Sequence, residues 1–186
     1  MNENNNLLSL VISCVDTANR NERAEKIIFL LSCGFLFQHY KNKKTQKRVL
    51  SESDKIEHDH ELKTAIALTD YNYHVLFAPK ELFYRNQKKF DIFLITEFLL
   101  LKADLKSISS KNPDTIAKRI NEGSEQASIV IIDIRSDILP KDLICGLKSG
   151  CFKNQLIREI ILFYKRKYYR LAKSLIISKN IYKVIQ

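Results

Sequence analysis

Three apolar runs constrain this chain more than any other feature: "KFDIFLI" (Lys89–Ile95), "LLLKADLKSIS" (Leu99–Ser109) and "SIVIIDI" (Ser128–Ile134). They are short, rich in Ile, Leu and Phe, and bounded by polar or turn-forming residues, the pattern of buried strands. The third is apolar and rich in β-branched residues and reads as a central strand covered on both faces. The first two carry charges that a core does not accept cheaply: Asp91, Asp104 and Lys106. An ionised side chain inside a protein needs a partner or a wet cleft. Residues two apart on a strand share a face. Asp104 and Lys106 therefore point the same way, with Leu105 opposite, and Asp91 lies on the preceding strand.

Helical patterns surround these strands. "SESDKIEHDHELKTAIALTDYN" opens with Ser and Asp capping candidates and repeats Leu62, Ala65, Ile66 and Leu68 at helical spacing. "YHVLFAP" is a short strand, and "KELFYRNQ" a polar turn or short helix. "NPDTIAKRINEGSEQA" is a helix with Asn112 as cap and Pro113 in its first turn. "LPKDLICGLKSG" is another helix ending at Gly150. The tail around "EIILFYKRKYYRLA" reads either as a strand hairpin turning at Lys165–Lys167 or as one long basic helix, and its β-branched and aromatic start favours strands. From Asp54 onward the order is helix, strand, strand, strand, helix, strand, with one parallel crossover. The expected class is α/β, a sandwich around a small mixed sheet.

Residues 1–48 read as a separate unit, a helical hairpin from "NLLSLVISCVDTA" and "ERAEKIIFLLSCGFLFQHYK" followed by the basic linker "KNKKTQKR". Residues 49–186 then form the main domain. Cys14, Cys33, Cys145 and Cys151 form no C-x-x-C pair and read as reduced core thiols of a cytoplasmic protein. The longest apolar run, Ile27–Phe37, is too short to cross a bilayer. The formal charge of +10 favours a polyanionic partner, nucleic acid before an anionic membrane surface.

Two carboxylates beside a lysine suit Mg²⁺ or Mn²⁺ and phosphodiester hydrolysis: the acids hold the cation and the lysine offsets developing charge or helps orient a water. With the element order and the segments "KKFDIFLI" and "ADLKSI", the chain resembles the PD-(D/E)XK nuclease superfamily. Asp104-Leu105-Lys106 matches its (D/E)-x-K element and Asp91 its first acid, with Phe90 where the family often has proline. The resemblance implies a restriction-endonuclease-like fold, with Glu61 as an acid from the first helix and Gln126 as a polar residue facing the site. Over roughly residues 54 to 165 the chain is most similar to the C-terminal tRNA-nuclease toxin domains of contact-dependent growth inhibition systems. That likeness implies RNA before DNA as substrate, and an immunity or regulatory protein as a further partner. Asp91, Asp104 and Glu61 are the expected metal ligands. Lys80, Ser107 and Thr115 join Gln126 as expected substrate contacts.

Plainer readings stand beside these. Asp104 and Lys106 also suit a surface ion pair on an edge strand. His58 and His60, two apart on a helix, read as solvated. "YKRKYYR" interleaves aromatics with cations, a pattern for unpaired bases and phosphates, or simply a strand with a basic outer face. The alternative to a nuclease is a non-catalytic nucleic-acid-binding or mobile-element accessory protein that retains the fold. A metal-independent RNase using His and Lys is a third reading, and none of His39, His58, His60 and His74 lies near the Asp104 motif in sequence.

Overall fold

The computed structural model describes residues 36–51, 53, 56, 58–78, 89–96, 100–152 and 154–186. The chain is α/β, with eight strands and five helices among the described residues. Its contacts divide it into two units, residues 1–101 and 102–186.

In the first unit, β1 (Phe37–Lys41) and β2 (Arg48–Ser51) pair antiparallel. Helix α1 (Asp59–Asp70) then leads to β3 (His74–Phe77), which runs parallel to β2. Strand β4 (Ile92–Ile95) returns antiparallel to β3. Val49, Leu50, Val75, Leu76 and all four residues of β4 are buried, joined by Ala65 and Leu68 of α1. No side chain caps the start of α1 at His58, so the expected Ser and Asp caps are not used. Asp59 and Glu61 in its first turn favour the positive end of the helix dipole instead. The helix ends at Asp70, and Asn72, two residues on, turns the chain away with a φ of 71°, the left-handed geometry that asparagine tolerates.

The expected helical segment with a basic linker over residues 1–48 needs correcting where it is described. Residues 1–35 lie outside the described residues. Phe37–Lys41 is strand, and "KNKKTQKR" is the β1–β2 turn. The boundary expected at residue 48 falls inside β2. The run is held by Asn42, 4% exposed. Its amide donates to Thr69 Oγ1 at 3.1 Å and Asp70 Oδ1 at 2.6 Å, while its oxygen accepts from the backbone N–H of Lys44 and Thr45. An Asn side chain folding its own turn in this way competes well with a free linker.

The second unit begins within β5 (Leu100–Ile108), at Lys102, and alternates strand and helix: α2 (Pro113–Ser124), β6 (Ile129–Ile134), α3 (Pro140–Phe152), β7 (Glu159–Tyr164). β5, β6 and β7 are mutually parallel neighbours. There are thus two parallel crossovers here and the β2–β3 crossover in the first unit, not the one expected. The helix read from "LPKDLICGLKSG" is itself a crossover to β7. Asn112 caps α2 as expected, its Oδ1 accepting from Asp114 N at 2.9 Å. Gly146 and Gly150, one turn apart on α3, let α2 close in: a Cβ on either would stand within 3 Å of Ile116 or Ile120.

Strand β8 (Lys167–Ala172) pairs antiparallel with β7 through the two-residue turn Lys165-Arg166. The hairpin reading of the tail therefore holds and the helix reading does not. Two short helices, α4 (Lys173–Ile177) and α5 (Ile181–Val184), close the chain and bury Ile176 and Ile181 in the core. That core fills one side of the sheet with Val130, Ile132, Ile160, Leu162 and Tyr164 beneath α2 and α3. The Tyr164 hydroxyl is satisfied by the carbonyl of Ile138 at 2.7 Å.

Cys151 lies in this core, where burial pushes its thiol up to about 12. Cys145, one and a half turns earlier on α3, is exposed, against the expectation of a core thiol. Cys14 and Cys33 lie outside the described residues. No helix among the described residues is long and apolar enough to cross a membrane.

Candidate functional site

The pleat of β5 sorts its side chains as alternation requires. Asp104 lies opposite Val130 and Lys106 opposite Ile132 in the parallel register, so both belong to the face covered by α2 and α3. Leu105 faces the other way and is buried there. Asp104 is fully buried and Lys106 is 16% exposed at its side chain, with Nζ 2.5 Å from Asp104 Oδ2. The reading of a surface ion pair is thereby corrected: Asp104 is fully buried and the pair lies beneath α2. Here the mutual attraction has to offset the loss of hydration, so the pair adds little net stability, yet deleting one partner strands a buried charge.

Helix α2 closes over the pair. Gly123, in its last turn, comes so near that a Cβ would stand 2.7 Å from Asp104 Oδ2 and 2.9 Å from Val130 Cγ1. Glycine is therefore a steric requirement of the site. Its carbonyl accepts from the N–H groups of Gln126 and Ala127, each at 2.9 Å, which turns the chain from α2 toward β6. Gln126 is half-buried in that turn, three residues after Gly123.

The other expected residues are distributed differently. Ser107 is on the opposite face of β5, its Oγ donating to Asp133 Oδ2 at 3.5 Å. It does not stand beside Asp104 and Lys106, because odd and even positions of one strand cannot share a side. Thr115 is in the first turn of α2. Eight residues separate it from Gly123, about 12 Å along the axis. Asp91 precedes β4 and is half-buried, its carbonyl accepting from Ala78 N at 2.8 Å. Glu61 is half-buried in the first turn of α1. Both acids belong to the first unit. Lys80 lies outside the described residues.

A divalent cation needs oxygen ligands, and Mg²⁺ commonly takes one or two carboxylates and keeps several waters. Among the described residues no group of three or more His, Cys, Asp and Glu gathers into a cage. Beside Lys106 the donor is Asp104, and the ammonium already engages it. Within the second unit this donor set does not by itself fit a resident divalent ion.

Two features escaped the sequence reading. Gly123 carried no signal beyond its place in the last turn of a helix. Asp133 sat unremarked in "SIVIIDI", read as buried on both faces; it is partly exposed and pairs with Arg135 Nε at 3.0 Å. The break in the β-branched run at Asp133 was the available signal. His58 is exposed and His60 half-buried, and their rings stack with centroids 5.4 Å apart. That is allowed because His58 precedes the helix and has extended backbone.

No family model, curated protein or solved structure matches the chain.

Proposed function

We propose that the chain is a phosphodiesterase acting on nucleic acid, a metal-dependent nuclease of the PD-(D/E)XK type, with RNA before DNA as substrate. The observation that supports it most is the Asp104–Lys106 pair, set two apart on one face of a strand and drawn to 2.5 Å. The order of elements along the chain, α1, β3, β4, β5, α2, β6, supports the same reading. In this reading Lys106 supplies positive charge to a phosphoryl oxygen as the bond breaks, and Asp104 aims the ammonium. Gln126 orients the substrate. Asp91 and Glu61, and with them Mg²⁺ or Mn²⁺, enter through the sequence pattern alone. The +10 charge draws a polyanion to the chain.

The complete burial of Asp104 beneath Gly123 favours a second reading, a nucleic-acid-binding protein in which the pair is structural. One experiment separates the two. The full chain is incubated with tRNA, single-stranded RNA and DNA, with Mg²⁺, Mn²⁺ or EDTA. The nuclease reading expects cation-dependent cleavage that drops about a hundredfold or more in Asp104→Ala and Lys106→Ala. Cleavage that survives EDTA sinks the metal, cleavage that survives both substitutions sinks the site, and binding without cleavage establishes the second reading.

A further inference from the structure

The β7–β8 hairpin has a turn that its residues do not favour. Lys165 and Arg166 both lie in the left-handed region, with φ of 48° and 61°. A two-residue hairpin loop demands positive φ, and the usual solution is Asn-Gly. Lysine and arginine are strained there by their Cβ atoms. Residues held in such conformations cluster where the side chains are used.

What the tip displays is charge. Lys165, Arg166 and Lys167 are consecutive and all exposed. Among the described residues neither Arg166 nor Lys167 has an acidic partner; Arg170, further along β8, is paired with Glu159. Lys165 Nζ lies 5.3 Å from the centre of the Tyr164 ring.

Behind the tip is an aromatic surface. The register aligns Ser107 with Asp133, Asp133 with Phe163, and Phe163 with Tyr168, one row across β5, β6, β7 and β8. This row is on the face opposite Asp104 and Lys106. Phe163 and Tyr168 meet edge to face, 5.7 Å between centroids, and both are partly exposed. Their neighbour Asp133 is held by Arg135. Strand β8 is an edge strand, so the row and the tip are contiguous at the border of the sheet.

We propose that this hairpin binds single-stranded nucleic acid: the Lys165-Arg166-Lys167 tip takes successive phosphates, and an unpaired base stacks on the Phe163–Tyr168 surface. Aromatic stacking is open to a base only when it is unpaired, which distinguishes this surface from a simple basic patch. The proposal does not depend on hydrolysis, because it uses the other face of the sheet.

The test is fluorescence anisotropy of the full chain with a labelled oligouridylate of about 12 nucleotides, in EDTA so that cleavage cannot interfere. The same sequence annealed into a duplex, and phosphatidylserine vesicles, are the comparison ligands. The single strand is expected to bind at least tenfold more tightly than the duplex. Lys165→Gln/Arg166→Gln/Lys167→Gln should flatten the salt dependence by about two units of slope, since each phosphate contact on a single strand contributes about 0.7. Tyr168→Leu should weaken binding roughly tenfold. Lys165→Asn/Arg166→Gly keeps the test meaningful if other variants fold poorly: it improves the turn while removing two cations, so binding should fall as the melting temperature rises. Equal affinity for duplex, preference for vesicles over the strand, or wild-type binding by the Asn-Gly variant would overturn the proposal.

Discussion

Replacing Gly123 with alanine asks whether the closeness of α2 to Asp104 is a real constraint. In an unconstrained helix interior the change is favourable by about 1 kcal/mol, because alanine loses less backbone freedom. Here the new methyl would stand 2.7 Å from Asp104 Oδ2 and 2.9 and 3.1 Å from the two Val130 methyls. An ordinary contact needs roughly 3.5 Å or more, so something must move by the better part of an ångström. Asp104 is fully buried and tied to Lys106 at 2.5 Å, and Val130 is buried under the same helix. Neither can swing out to solvent. Overpacking of this kind costs about 1–3 kcal/mol, enough to cancel the helix gain and turn it into a loss of about 1 kcal/mol. The chain has no tryptophan, so urea unfolding is best followed by far-UV circular dichroism. A double-mutant cycle with Asp104→Ala assigns the cause. With the carboxylate gone, the methyl has room on that side, and the two changes should couple by about 1 kcal/mol or more. A Gly123→Ala protein that is more stable than the parent, or a coupling inside about 0.3 kcal/mol, would refute the packing argument.

Three further outcomes follow from the geometry. Lys106→Met should cost about 3–5 kcal/mol in urea unfolding, whereas Asp104→Leu/Lys106→Met should recover most of it; equal losses in the two proteins would mean the pair is not a coupled buried unit. His74, half-buried on β3 with Nδ1 lacking a hydrogen-bond partner, is lowered to about 4 by desolvation and then by Lys47 and Arg48. Protonation thus favours the unfolded chain: the stability is complete above the ordinary histidine value and is lost as pH falls toward 4, about 2 kcal/mol of it by pH 5. His74→Leu should flatten that slope in denaturation measured from pH 7 to pH 5; an unchanged slope would assign it elsewhere. In a Cys14→Ser/Cys33→Ser background, a thiol reagent at mildly alkaline pH should modify exposed Cys145 and spare Cys151, whose thiol burial holds at about 12; two rapid equivalents would contradict that.

Much of the architecture was written in local pattern. Alternation and helical spacing placed α1, β3, β4, β5, α2 and β6 in their order, the Asn112-Pro113 cap marked the start of α2, and "EIILFYKRKYYRLA" folded into the hairpin its β-branched residues favoured. Alternation also put Asp104 and Lys106 on one side of β5. These signals are readable because each depends on residues a few positions apart. The "KNKKTQKR" run shows where that limit lies. It looked like a linker, and became a turn because Asn42 reaches Thr69 and Asp70, 27 and 28 residues on.

The same division holds at the site. The sequence alone determined that two charges of opposite sign share a face of a strand, since that follows from the two-residue period of any β-strand. Only the tertiary structure decided that this face is the one α2 covers, that Gly123 seals Asp104 from water, and that Ser107 belongs instead with Asp133, Phe163 and Tyr168. The physical reason is that a strand's pleat assigns sides without saying what lies on either of them. Which side is dry is settled by helices and strands that meet only when the chain has folded.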